Sequence, residues 1–269
     1  MRNNKTFELV LTSLFVAIIV IMAFTPLGFI PLVVINATII HIPVILGALF
    51  CGPKKGALLG FVFGLTSFIK NTFMPTSLSA FVFSPVLATG VVGPSGIFKS
   101  AYICFVPRIL VGVLPYFLYV LVKKALTSEQ KKVWTVVLNV LIGLFLLAGV
   151  RAFINKLLET PSWSTPVSII VAIVIAAVLI VLSFKKNESV VAFTYAGVSG
   201  AMVNTLLVMS GIYILYKDAY AQALSVDATA VLGIIEGVIS FNGVVEAIVA
   251  AVIVAGVGVV LNRIKPIEA

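Results

Sequence analysis

Two groups of polar residues interrupt a chain that is otherwise largely apolar. One is Asn36-Ala37-Thr38-Ile39-Ile40-His41-Ile42-Pro43. The other runs from Ile69-Lys70-Asn71-Thr72-Phe73-Met74-Pro75-Thr76 to Phe83-Ser84-Pro85 and is joined by Val106-Pro107-Arg108. Polar and cationic groups at membrane depth are costly unless compensated, which makes them candidates for function. An arginine offers a planar fork of donors that grips a carboxylate through two hydrogen bonds. Imidazole, amide and hydroxyl groups exchange hydrogen bonds with their like. Together these residue types point to recognition of a small, polar, anionic solute within a helical bundle.

Several of these positions carry two readings. His41 falls about nine residues into an apolar segment, roughly 13 Å along a helix axis. It reads as a polar contact between helices or as a partner for a substrate hydroxyl or amide, with Asn36 and Thr38 just before it. Pro43 frees the carbonyl of Ile39, which could face a cavity. Arg108 reads as a carboxylate clamp or as a side chain snorkelling to headgroups. Lys70 and Asn71 close a segment, and snorkelling is the simpler role for Lys70. Phe73, Phe81 and Phe83 form a lid or anchor their loop. Asn204, between Gly200 and Thr205, must find a partner in a helix or a ligand. Tyr213 and Tyr216 read as interfacial belt residues. Glu236, Asn242 and Glu246 share the last segment, and a spacing near three turns puts the two acids on one face. Glu246 is deeper, so it is paired, protonated or proton-coupling.

Catalytic and cofactor motifs are missing. The sequence has no Walker-type loop, no His-Glu-x-x-His and no Gly-x-Ser-x-Gly. A single histidine makes a metal cluster or a Ser/His/Asp triad hard to assemble. Cys51 and Cys104 are too few and too far apart for a disulfide framework and read as packing residues. No metal or cofactor is expected, and any ATP-driven step belongs to another subunit.

The elements that position these residues follow from composition. The chain has 269 residues, 61% hydrophobic and 10% charged, with a mean hydropathy of +1.24. Only a bilayer accommodates that much apolar surface, and long unbroken runs specify helices rather than barrel strands. Eight segments approach the required length of about 17–25 residues: about 7–25, 33–51, 55–70, 102–122, 133–152, 166–184, 190–214 and 230–261. The first resembles a signal peptide but lacks a good cleavage site, so it is expected to be a retained helix. The stretch 77–98, broken by Pro85, Gly90, Gly93, Pro94 and Gly96, predicts a structured, partly re-entrant loop. With both termini in the cytoplasm, the basic pairs Lys54-Lys55, Lys123-Lys124, Lys131-Lys132 and Lys185-Lys186 all fall inside, as the positive-inside rule requires. The net charge of +9 is thereby explained by membrane orientation, without nucleic acid. Small residues Ser13 and Ala17, and Gly56, Gly60 and Gly64, mark faces for close helix approach, either internal or against another subunit.

The order of features resembles the substrate-binding S components of energy-coupling factor (ECF) vitamin transporters. It rests on Leu27-Gly28-Phe29-Ile30-Pro31, Ala37-Thr38-Ile39-Ile40-His41-Ile42-Pro43-Val44-Ile45, and Gly52-Pro53-Lys54-Lys55-Gly56-Ala57 into Gly60-Phe61-Val62-Phe63-Gly64. Pro75-Thr76, Phe81-Val82-Phe83-Ser84-Pro85 and Pro107-Arg108-Ile109-Leu110-Val111-Gly112 follow, then Gly200-Ala201-Met202-Val203-Asn204-Thr205 and Asn242-Gly243-Val244-Val245-Glu246-Ala247. The resemblance covers about 7–122 and 190–262. It implies an all-α polytopic bundle with a six-helix core, a vitamin bound near the outer face, and partners: a transmembrane coupling subunit and two cytoplasmic ATPases. Ser13 and Ala17 would meet the coupling subunit. Residues of about 126–187 read as an inserted transmembrane hairpin within a single domain. The surroundings of Thr38, His41 and Arg108 look most like pantothenate-specific members. The implied substrate set is Asn36, Thr38, His41, Lys70, Asn71, Phe83, Arg108, Asn204 and Asn242.

Two competing classes are distinguishable. A self-contained transporter driven by protons through Glu246 would show an internal repeat with paired broken helices, and no convincing repeat is found. An intramembrane enzyme would need clustered catalytic residues, and the carboxylates here are scattered.

Overall fold

Apolar segments in lipid must satisfy their own backbone groups, and this chain does so with helices. The computed structural model describes residues 4–31, 36–157, 162–184 and 188–267. In chain order the elements are α1 (Asn4–Phe24), strands β1 (Phe29–Pro31) and β2 (Asn36–Thr38), α2 (His41–Cys51) and α3 (Pro53–Phe73). Next come a 3-10 turn (Leu78–Phe83), α4 (Pro85–Val92), α5 (Gly96–Val111), α6 (Leu114–Thr127), α7 (Lys131–Leu157) and α8 (Ser164–Phe184). The chain ends with α9 (Glu188–Leu224), α10 (Val231–Val238), a π-helical turn (Ile239–Gly243) and α11 (Val244–Ile264). Among the described residues, six helical stretches are long and apolar enough to cross a membrane. The protein is a polytopic helical membrane protein.

The expected second span is the largest departure. Asn36–Thr38 is not helical but pairs antiparallel with Phe29–Pro31, Phe29 opposite Thr38. Asn36 and Thr38 have short polar side chains that compete for backbone hydrogen bonds, which disfavours a helix interior. Helix α2 therefore starts at His41 and has only 11 residues, and His41 sits at a helix start rather than deep in a span. Pro43 then falls in the first turn, where a missing N–H costs nothing. The Ile39 carbonyl does not face a cavity, because it accepts the N–H of Ile42 at 3.0 Å. Gly52, with φ of 85°, makes the sharp reversal into α3, and Pro53 starts that helix.

Three further boundaries move. The stretch after Thr76 is ordered, with Ser84 capping α4 by accepting the Leu87 N–H at 3.2 Å. Helix α5 starts at Gly96 rather than 102, which places Arg108 deeper than the outer end assumed for it. The π-helical turn rotates the faces of the last segment, so Glu236 is exposed while Glu246 is buried. The two acids do not share a face.

The core lies where α1, α2, α3, α6, α9 and α11 meet, around Ile19, Ile45, Leu49, Leu59, Tyr119 and Phe193. Tyr119 packs on Phe193 at 4.7 Å between ring centroids. A smaller cluster joins the 3-10 turn to α5, α9 and α10, and Tyr216 belongs to it. Tyr216 is not a belt residue: it is buried, its hydroxyl 2.7 Å from that of Ser100, and it donates to the Gly96 carbonyl at 3.1 Å. Helices α7 and α8 pack on each other, and α7 is tied to α9 by the Lys131–Glu188 ion pair at 2.6 Å.

Gly56, Gly60 and Gly64 form the seam between α3 and α5. A β-carbon on Gly60 would lie 2.1 Å from the Arg108 carbonyl, and one on Gly56 would lie 1.9 Å from that of Gly112. The glycine face is internal packing. Gly60→Leu is expected to destabilise the protein by about 3 kcal/mol, the upper end of the overpacking range, since backbone rather than a flexible side chain blocks the added atoms. Thermal unfolding in detergent measures this; an unchanged melting temperature would refute the seam.

Candidate substrate-binding site

A cavity of about 210 Å³ lies at one end of the bundle, lined by Ala23 of α1, Thr38 and Ile40 before α2, and Phe63, Thr66, Ser67, Lys70 and Asn71 of α3. Thr76, Ser77 and Phe83 of the connecting loop, Arg108 of α5 and Asn204 of α9 complete it. The opposite end carries Glu8, paired with Lys55 at 2.5 Å and with Lys265 at 3.7 Å.

Arg108 is fixed by its own helix. Pro107 lacks an N–H, so the carbonyl of Ile103 loses its helical donor. The Arg108 guanidinium donates Nη1–H to that carbonyl. This turns the side chain inward between the rings of Phe63 and Phe83, whose centroids lie 5.5 and 5.2 Å from the guanidinium carbon. The two π faces partly offset the removal of the charge from water. Arg108 is 5% exposed, and Nε has no hydrogen-bond partner among the described residues. No ion pair with a carboxylate is formed there either. Snorkelling is ruled out by this burial.

The rest of the wall is set by α3, where Phe63, Thr66, Ser67, Lys70 and Asn71 recur at the three- and four-residue spacing of one helix face. Lys70 turns inward and donates to the Ala23 carbonyl at 2.9 Å, so it does not snorkel. Asn71 donates to the Ser67 carbonyl at 2.8 Å. Among the phenylalanines, Phe83 lines the cavity, Phe81 is buried edge-on against Tyr216, and Phe73 is exposed. Phe83 is held by its carbonyl, which accepts the Cys104 thiol at 3.0 Å. The Thr72 and Ser84 hydroxyls, 2.8 Å apart, pin the loop at both ends.

The Glu246 carboxylate ties three elements together behind the cavity. Oε1 accepts the Thr38 backbone N–H at 2.8 Å and Oε2 accepts the Thr205 hydroxyl at 2.9 Å. A carboxylate on α11 thus holds the β-hairpin against α9 and sets the position of Thr38 in the wall. These bonds account for a buried acid at this depth without a proton relay.

The cavity brings together Thr38, Lys70, Asn71, Phe83, Arg108 and Asn204 of the expected set. His41 and Asn242 do not line it. His41 is fully buried, both ring nitrogens lacking partners among the described residues, and the Asn242 amide oxygen is likewise unsatisfied. Asn36 lies in β2, and its side chain falls outside the described residues. Asn204 contributes a buried amide oxygen without a partner among the described residues. Thr66, Ser67 and Glu246 were not anticipated in these roles. The stripe on α3 was readable, since it continues Lys70 and Asn71 back by one turn; the Glu246–Thr38 bond, 208 residues apart, was not.

The sequence model of the family described as "ECF transporter, substrate-specific component" matches residues 7–164. The chain belongs to this family. It is therefore a transporter component and not an enzyme. The substrate-specific component is also similar to two curated proteins. The Pantothenic acid transporter PanT of Lactococcus lactis subsp. cremoris (strain MG1363) is 40% identical over 129 residues, 44% of this chain and 61% of the relative. The Pantothenate transporter PanT of Leuconostoc mesenteroides subsp. mesenteroides is 34% identical over 119 residues, 42% of this chain and 51% of the relative. The matches thus span between half and two thirds of these relatives' length.

Proposed function

We propose that the cavity binds pantothenate, or a closely similar small anionic vitamin, as the uptake step of an ECF-type transporter. The observation that carries this is Arg108: a buried guanidinium facing a cavity, which no carboxylate contacts directly among the described residues, Glu246 acting on it only through space. A ligand carboxylate supplies the directly bonded acidic partner that the guanidinium lacks among the described residues, through charge-assisted hydrogen bonds. The Asn204 amide, Lys70 and the hydroxyls of Thr66, Ser67 and Thr76 suit hydroxyl and amide groups. A volume of about 210 Å³ fits a small nutrient better than a drug-sized ligand. The naming of both relatives for pantothenate supports the same substrate.

In this reading both termini are cytoplasmic and the cavity opens outward. The partners are one transmembrane coupling subunit and two cytoplasmic ATPases, and α7 and α8 are an addition to a six-helix core. Isothermal titration of the purified chain should show pantothenate binding, and the alcohol analogue lacking the carboxylate should bind about 10- to 150-fold more weakly. Equal affinity for the two would overturn the assignment. Uptake into vesicles should need the coupling and ATPase subunits; uptake by this chain alone in a proton gradient would favour a secondary transporter instead.

The coupling subunit is assigned to α1. Ser13 and Ala17 are exposed there, flanked by exposed Leu9, Val10, Leu14 and Ile21. Small residues in an apolar face allow a second helix to approach closely. Ala17→Trp should leave vitamin binding within about twofold, as expected of a surface change. It should abolish co-purification with the coupling subunit; an undiminished complex would move the interface elsewhere.

A further inference from the structure

Helices α5 and α9 leave a second hollow, on the lipid-facing surface, that shares no lining residue with the vitamin cavity. Its volume is about 350 Å³, and Phe98, Lys99, Tyr102, Ser210, Gly211, Ile214 and Leu215 line it. Phe98 and Ile214 are 79% and 75% exposed. Gly211 gives the groove its depth: a β-carbon there would already lie 3.3 Å from Ile103 and 3.6 Å from Tyr102. The walls are thus apolar and open sideways, as a site for a hydrocarbon chain must be.

One end of this groove is cationic. Lys99 lies over the Tyr216 ring at 5.7 Å, and Lys217 lies over the Tyr213 ring at 5.6 Å. Ser210, Ile214 and Lys217 follow one another at four and three residues, which places them on one stripe of α9. The Tyr216 hydroxyl bonds to the Gly96 carbonyl and Ser100 at the start of α5, so both lysines stand at the same level. Among the described residues neither forms an ion pair. Two carboxylates lower the local charge: exposed Asp218, next to Lys217 on α9, and Asp227, which accepts the Thr229 N–H at 2.7 Å and hydroxyl at 2.6 Å. This end is also the one with the vitamin cavity, opposite the end where Lys55 and Lys265 gather. In the orientation proposed above, on which this point rests, lysines on this side run against the usual orientation bias.

We propose that this groove binds one anionic phospholipid, its phosphate between Lys99 and Lys217 and its acyl chain along Phe98, Tyr102, Gly211 and Ile214. The occupant follows from the surroundings: the groove opens from membrane-spanning helices, so hydrocarbon chains fill it, and the two ammonium groups select the headgroup. Each lysine near the interface favours an anionic lipid about fivefold, giving a preference on the order of 20-fold for the pair.

The full chain, in phosphatidylcholine nanodiscs, is labelled with phosphatidylglycerol or phosphatidylcholine probes carrying a photoreactive acyl chain. The phosphatidylglycerol probe should label the peptides bearing Phe98–Tyr102 and Ser210–Leu215, on the order of 20-fold more than the other probe. Lys99→Gln with Lys217→Gln should reduce labelling to the phosphatidylcholine level. Ser210→Phe, which fills the groove from its exposed side, should abolish labelling by both probes. Vitamin binding should stay unchanged in both variants, which confirms that they fold. Equal labelling by the two probes, labelling insensitive to the double substitution, or displacement of the probe by inorganic phosphate would each overturn the proposal.

Discussion

Arg108→Ala is expected to weaken pantothenate binding by about 1.5–3 kcal/mol, or about 10- to 150-fold in Kd. The loss follows from the geometry: the guanidinium is the one cation sandwiched between Phe63 and Phe83 at the cavity wall among the described residues. The stability of the empty protein separates a binding role from a structural one. Arg108→Met keeps most of the side-chain volume while removing a charge that forms no direct ion pair among the described residues, its interaction with Glu246 being through space. Replacing buried charge by apolar volume is often neutral or stabilising. The empty Met variant is therefore expected to melt at or above the wild-type temperature while the vitamin no longer raises that temperature. A variant that melts much lower yet still binds would make Arg108 a packing residue.

Glu246→Ala is expected to lower stability by about 3 kcal/mol or more, because it strands the Thr38 N–H and the Thr205 hydroxyl, each costing about 1–3 kcal/mol. Binding should fall with it, since Thr38 lines the cavity and Glu246 holds it in place. Glu246→Gln offers an acceptor for Thr38 and a donor for Thr205, so most of the stability and binding should return. Thermal unfolding and titration of both variants read this out. Uptake by the assembled complex is the decisive measurement for the carboxylate. A proton-coupling acid would lose transport on conversion to glutamine even with binding intact, whereas a residue that holds the hairpin would not.

The helical membrane class, the approximate positions of most spans and a grouping that includes Thr38, Lys70, Asn71, Phe83, Arg108 and Asn204, which line one cavity, were legible in the sequence. Hydropathy and charge are local properties, and the bilayer converts them into helices almost without choice. Pro107 before Arg108 was also visible, although only the helix register shows that the missing N–H is what turns the guanidinium inward.

What the tertiary structure decided lies in pairings distant along the chain. The hairpin formed by Phe29–Pro31 and Asn36–Thr38 replaces half of an expected span because Glu246, on the last helix, holds its end. Gly60 belongs to an internal seam only because α5 lies against it, and nothing in a run of spaced glycines says which helix approaches. The inward turn of Lys70 needed the end of α1. Composition and periodicity fix how each segment meets lipid, since that depends on its own side chains. Which segments meet one another depends on close packing and on the satisfaction of buried polar groups, and these are properties of the assembled bundle.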